Sequence, residues 1–176
     1  MTESVYASMG HAPAFSLTSS DVSDGAEVPP AQRSGAFGVP GGQDVSPQLS
    51  WSGFPEGTKS FAVTLYDPDA PTTSGFWHWV VLNIPASVTE LPTGAGAADS
   101  PAMPAGSVTL RNDAGVNAFV GAGPPPGHGD HRYVFAVHAL DVESVDVDSS
   151  GSPAFGMFNL FGHVIGRAEL TTTFGH

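Results

Sequence analysis

The 176-residue chain has no cysteine. Disulfide staples, thiolate metal ligands and cysteine nucleophiles are thereby excluded together, and the absence suits a reducing compartment. Basic residues are also scarce, 5 Lys and Arg against 17 Asp and Glu, for a formal net charge of −12. Such a field repels nucleic acid, so DNA and RNA are not expected partners. Docking to an anionic bilayer would lack the basic patch it needs. No apolar run approaches the roughly 20 residues of a spanning helix. The opening stretch MTESVYASMGHAPAFSLTSS lacks both the basic and the long apolar regions of a secretory signal. These absences predict a cytoplasmic protein without transmembrane insertion. No Gly-x-Ser-x-Gly elbow and no Walker loop occurs, and no two histidines stand four apart as on a metal-binding helix.

Glycine (22) and proline (16) are plentiful and punctuate short apolar runs, the pattern of strands joined by structured loops. With 40% hydrophobic and only 12% charged residues the chain is globular rather than a disordered polyelectrolyte. Its length fits one domain, residues 1–176, and a chain of about 150 residues already buries roughly 68–70% of its unfolded surface. Residues 1–12 read as a loose terminal arm. Ala14 to Thr18 and Gln48 to Trp51 read as short strands, and Asp21 to Asp44 as loop with strand fragments. Ser60 to Asp67 alternates, with Phe61, Val63 and Leu65 on one face. His78 to Ile84 and His131 to Asp141 are apolar on both faces, as central strands covered on two sides would be. Ser107 to Arg111 and Glu169 to Phe174 complete the strands. Phe158, Phe161, Ile165 and Ala168 recur at helical spacing and predict a helix from Pro153 to Ala168, weakened by Gly162 and Gly166. The fold class expected is mainly β, an antiparallel β-sandwich with one C-terminal helix and short helical turns.

Two segments carry chemistry. In the first, Asp67 ends the strongest strand and Pro68-Asp69-Ala70-Pro71 leads to Phe76-Trp77-His78-Trp79 at the start of the next. The prolines stiffen this turn, and the strand ends bring aspartate and histidine near one another. The second runs GAGPPPGHGDHRY from Gly121 to Tyr133. Its glycines admit close approach of a ligand to the backbone. His131 and Tyr133, two apart on a strand, share a face. Imidazolium, phenol and backbone N–H are all donors, a set suited to phosphate or carboxylate. Asp67 would then fix a histidine tautomer or raise its pKa. The plainer alternatives are a carboxylate that caps a turn, a satisfied core histidine and an aromatic packing residue. His11, His128, His138, His163 and His176 receive no role, and His138 alternates away from His131.

DPDAP, followed by a tryptophan-flanked histidine and VVLNIP, resembles the first signature of the phosphatidylethanolamine-binding proteins, the family of the Raf kinase inhibitor proteins. GxGPPPGxGxHRYVF resembles the second, in matching order and separation, and the likeness covers roughly residues 14–174. The short link from Pro71 to His78 and the compact C-terminus look like the bacterial and archaeal branch. The resemblance implies a β-sandwich with a pocket at one end, formed by Asp67, His78, Gly123, Pro124, His131 and Tyr133, with Trp77 or Phe76 as an apolar wall. It implies a ligand that is a small anion or a phosphorylated, phosphoethanolamine-like headgroup, no cofactor, a kinase or protease as partner in some members, and homodimers among prokaryotic ones. Two other uses of the same residues stay open. Asp67, His78 and His131 have the makings of a hydrolase acting on a small ester or phosphoester. The same three match a two-histidine, one-carboxylate metal set.

Overall fold

The computed structural model describes residues 3–176. In chain order its elements are β1 (Ser16–Thr18), β2 (Leu49–Ser52), β3 (Ser60–Asp67), β4 (Phe76–Pro85), β5 (Glu90–Leu91), β6 (Val108–Thr109), β7 (His131–Leu140), α1 (Pro153–Leu160) and β8 (Val164–Phe174), with two short 3-10 turns at Ala7–Met9 and Pro30–Gln32. A three-stranded sheet in the order β1-β2-β5 faces a five-stranded sheet in the order β6-β4-β3-β7-β8, and every pairing of named strands is antiparallel. The mainly β sandwich expected from the sequence is the fold observed.

Alternation along β3, β4 and β7 divides the core in two. Phe61, Val63 and Leu65 of β3, Trp79 and Val81 of β4, and Tyr133, Phe135 and Val137 of β7 pack toward Leu49 and Trp51 of the smaller sheet. Ala62, Val80, Leu82, Val134 and Ala136 point the other way, under Tyr6 and under Met157 and Leu160 of α1. β4 and β7 are therefore buried on both sides, as their unbroken apolar runs require, and each large aliphatic or aromatic side chain so buried contributes about 1.5–3 kcal/mol.

Two expectations are corrected. The segment near the N-terminus is not loose from Glu3 onward (residues 1 and 2 lie outside the described residues). Tyr6 is 3% exposed and its hydroxyl lies 2.7 Å from Thr64 Oγ1. The helix also stops eight residues early. Ser152 caps it by accepting from the Phe155 N–H, and Pro153 opens it. It ends at Leu160 because Gly162 turns the chain at φ +85° and Val164 and Ile165 enter β8. Phe158 and Phe161, whose spacing suggested a buried helical face, lie exposed.

The outer edge of β8 is covered by the chain's own N-terminal third. Gly25 and Val28 N–H donate to the carbonyls of Thr171 and Thr173, Thr173 N–H donates to Ala26, and Arg167 N–H donates to Pro13. This covering segment forms isolated bridges where strand fragments were expected. The opposite edge strand, β6, is two residues long.

Candidate functional site

β3 lies between β4 and β7, so Asp67 at the end of β3 pairs with Phe76 at the start of β4, and the start of β7 lies on its other side. Three strand ends thus meet at one end of the sandwich, and Asp67, His78 and His131 come together there, each 2–3% exposed. The turn after β3 is tied down on both sides. Asp69 N–H donates to Asp67 Oδ1 at 2.8 Å. Asp69 itself accepts from the backbone N–H, Nε and Nη2 of Arg132 at 2.8–2.9 Å. The arginine's hydrogen bonds hold the Asp69 carboxyl below the ordinary carboxylate range.

His131 Nδ1–H donates to Asp67 Oδ2 at 2.7 Å. Its Nε2 lies 2.7 Å from Nδ1 of His128, a solvent-exposed ring on the loop. Two ring nitrogens that close share one proton, so Asp67, His131 and His128 form a hydrogen-bonded chain from the buried carboxylate to solvent. His78 differs. Its Nδ1–H donates to the Val120 carbonyl at 3.0 Å, which leaves Nε2 with its lone pair and no protein partner. Burial pushes the pKa of His78 down to about 4. The ring is therefore neutral at neutral pH rather than the imidazolium donor expected from the sequence. Tyr133 stands between the two histidines, its ring centroid 5.4 Å from that of His78 and 6.4 Å from that of His131. Its hydroxyl is buried with the Gly123 backbone N–H directed at it but no hydrogen bond of full geometry, and burial, helped by the charge of Asp67, pushes its pKa well above the ordinary value.

A pocket of about 230 Å³ opens above Asp67, His78 and His131, with Gly123 and Pro124 in its wall. Its collar is apolar: Phe37, Pro71, Phe76 and Pro125. Of the predicted site residues, Tyr133 and Trp77 do not line the pocket, and Tyr133 borders a separate small void with Phe119 and Phe135. Alternation along β4 sends Phe76 and His78 to the pocket side and turns the Trp77 indole to the opposite face, tilted 34° against Tyr66 with ring centroids 4.3 Å apart. Phe37 supplies the wall with Phe76, their centroids 5.9 Å apart. Gly123 makes room for it: a Cβ there would lie 2.8 Å from the Phe37 ring. The loop is fastened from the chain's end, where Gly127 N–H donates to the His176 carbonyl and His176 Nε2–H to the Pro124 carbonyl, at 2.6 and 2.8 Å. Among the described residues no group of three or more His, Asp or Glu is placed to hold a metal ion.

Residues 18–175 match the family model for phosphatidylethanolamine-binding protein. The chain belongs to the phosphatidylethanolamine-binding protein family. Among its relatives, the UPF0098 protein YbcL of Escherichia coli K12 is 49% identical over 163 residues, 93% of this chain and 88% of YbcL. YbhB of the same organism is 47% identical over 158 residues, 90% of this chain and 98% of YbhB. The crystal structure of YbcL, described as a new member of the mammalian PEBP family, superposes with a TM-score of 0.89 and covers 92% of this chain and 98% of its own. A putative homolog of the family from Chlamydia trachomatis superposes at 0.75 with 29% identity, covering 94% of this chain and 99% of its own.

The family signatures point to the base of the pocket but not to its rim. Phe37 comes from a glycine-rich loop some 30 residues before Asp67 and has no motif around it; its one signal is an aromatic flanked by Gly35 and Gly38. His128, between Gly127 and Gly129 on the proline-stiffened loop, receives no role from the sequence. The Asp69–Arg132 clamp was present in the sequence as two charges adjoining Asp67 and His131 but became a pair only through the β3–β7 pairing.

Proposed function

We propose that the pocket binds a small anion, a phosphate or a phosphorylated headgroup of phosphoethanolamine type, and that occupancy modulates a protein partner of the kinase or protease kind. The supporting observation is His78, which lines the pocket with Nδ1 engaged by the Val120 carbonyl and Nε2 left open, with the buried Tyr133 hydroxyl behind it. In this reading the bound anion shares a proton with His78 Nε2. Asp67 keeps its charge toward His131 rather than toward the ligand. Gly123 and Pro124 hold the wall close, and the collar of Phe37 and Phe76 takes an apolar ester substituent on the anion.

The test is a titration of inorganic phosphate and phosphoethanolamine at about pH 6.5, the ordinary histidine pKa, read from histidine ring signals by NMR. Saturable movement of the His78 and His131 rings, lost in His78→Ala, is the expected result. Rings that stay still at millimolar ligand discard the reading. The free lone pair of His78 also fits a general base, which is the observation in favour of a hydrolase. Turnover of p-nitrophenyl acetate or phosphate that vanishes in His78→Ala would replace binding with catalysis.

A further inference from the structure

On the face of the larger sheet away from the pocket lies a buried cation without a carboxylate. Arg167 of β8 is 7% exposed. Its Nε–H donates to His138 Nδ1 at 3.2 Å, and its guanidinium carbon sits 5.1 Å from the centre of the Tyr6 ring. Neither neighbour neutralises it. His138 is held uncharged by burial and by Arg167, with a pKa of about 3, and its other nitrogen faces Thr64 Oγ1 at 3.1 Å. Among the described residues no carboxylate comes within ion-pair distance of Arg167. Nε makes its only side-chain hydrogen bond, and Nη2 is buried with no partner at all. Taking a charge out of water without a partner is among the costlier arrangements in a fold.

Arg167 lines a second cavity, of about 500 Å³, between β8 and the N-terminal segment. Ala7, Ala12, Ala14 and Phe15 wall it, and Glu3, His11 and Glu169 are its other titratable lining residues. Glu169 is steadied by Ser4 Oγ, which donates to it at 2.5 Å. We propose that this cavity is a binding site for a small zwitterion of the amino-acid type, its carboxylate on Arg167, its ammonium toward Glu169 and Glu3, and its apolar side chain along Ala12 and Phe15.

Each part of the cavity selects for part of that ligand. With Nε engaged by His138 and Nη2 sealed from solvent, Nη1 is the guanidinium nitrogen left to meet the carboxylate, through one charge-assisted hydrogen bond. The two glutamates repel a dianion entering the same mouth, so phosphate is disfavoured here, whereas an ammonium gains from them. A chain of net charge −12 further favours a ligand that brings no net negative charge.

The test uses the full chain and reads the Arg167 Nε–H and the amides of Arg167 and Ala168 by NMR. L-valine is titrated against acetate, ethylammonium chloride and sodium chloride. Saturable shifts with valine, about tenfold weaker with acetate and absent with the chlorides, are expected. Glu169→Gln, a substitution at an exposed residue, should weaken valine about threefold and leave acetate unchanged. Arg167→Met should abolish both responses while phosphate still perturbs His78. The proposal is overturned if valine produces no shift at tens of millimolar, if chloride and acetate act at the same concentrations as valine, or if Glu169→Gln leaves valine binding untouched. The last outcome decides the matter even where Arg167→Met does not fold.

Discussion

The protonation of His78 makes anion binding a function of pH, with a slope that can be worked out. With a pKa of about 4, only about one ring in a thousand carries a second proton at pH 7, and supplying that proton costs about 4 kcal/mol at 1.36 kcal/mol per pH unit. An anion that accepts a hydrogen bond from His78 Nε2 binds the protonated form and raises its pKa. Apparent affinity then rises about tenfold for each unit the pH falls from 7 toward 5, and levels off below the free-state pKa of about 4. Sulfate is the appropriate probe because, unlike phosphate, it does not itself change protonation in this range. Calorimetry in two buffers of different ionisation heat should register about one proton taken up per sulfate bound near pH 6. In His78→Gln the slope should disappear, since an amide offers the same donor at every pH. Wild-type affinity that changes less than twofold between pH 7 and 5, or an unchanged slope in His78→Gln, would refute the reasoning.

Acid should weaken the fold for the same reason at two places. His78 and His138 stay neutral in the folded protein down to about 4 and about 3, against 6.5 in the unfolded chain. The unfolded state therefore binds more protons below pH 6.5, and stability falls with pH, by about 6 kcal/mol in all by pH 4. Urea melts across this range check it, and His138→Gln should remove about half of the slope. His128→Ala removes the ring that occupies His131 Nε2 and adds that nitrogen to the groups a phosphate in the pocket can reach, which should tighten binding about fivefold, the equivalent of one neutral hydrogen bond; weaker binding in a fluorescence or calorimetric titration would contradict this. Gly121→Ala would place a Cβ 2.5 Å from backbone atoms of Gln32 and Arg33 and should cost about 3 kcal/mol. Gly123→Ala meets the ring and the Cβ of Phe37 at 2.8 and 2.9 Å, so the loop carrying Phe37 must shift as well as the ring turn, and it should cost less, about 2 kcal/mol; a reversed order of urea midpoints would show the loop to be the softer partner.

What could be read from the sequence follows from how local each signal is. β3 was legible to the residue because strict alternation of Phe61, Val63 and Leu65 over eight positions has no helical counterpart. β4 and β7 were legible as doubly covered strands from unbroken apolar runs. The end of α1 was not, because Ile165 and Ala168 keep helical spacing with Phe158 and Phe161 while the choice between helix and strand there is made by pairing with β7, a long-range contact. The base of the site, Asp67, His78 and His131, could be read because each marks a strand end within a signature. Its rim could not, since Phe37 reaches the pocket through tertiary packing against Phe76 and Gly123. The orientation of Trp77 was decided by the phase of β4, where a one-residue choice sends a side chain to the opposite face. The tautomer of His78 depended on Val120, 42 residues away. The burial of Tyr6 and Arg167 against each other joins positions near opposite ends of the chain, which no periodicity records.

The covering of β8 by residues 13–28 bears on how copies of this protein could meet. An eleven-residue strand with a bare flank would be a ready template for a second molecule to extend the sheet. Here the backbone groups of Arg167, Thr171 and Thr173 along that flank are already spoken for by the chain itself. At the other margin, β6 offers two residues, too short a run to hold a neighbour. Growth of the larger sheet from one molecule into the next is thus closed at both sides. A homodimer formed on the larger sheet would have to be built from side chains across a face, and its strength would follow the apolar area brought together rather than a ladder of amide bonds.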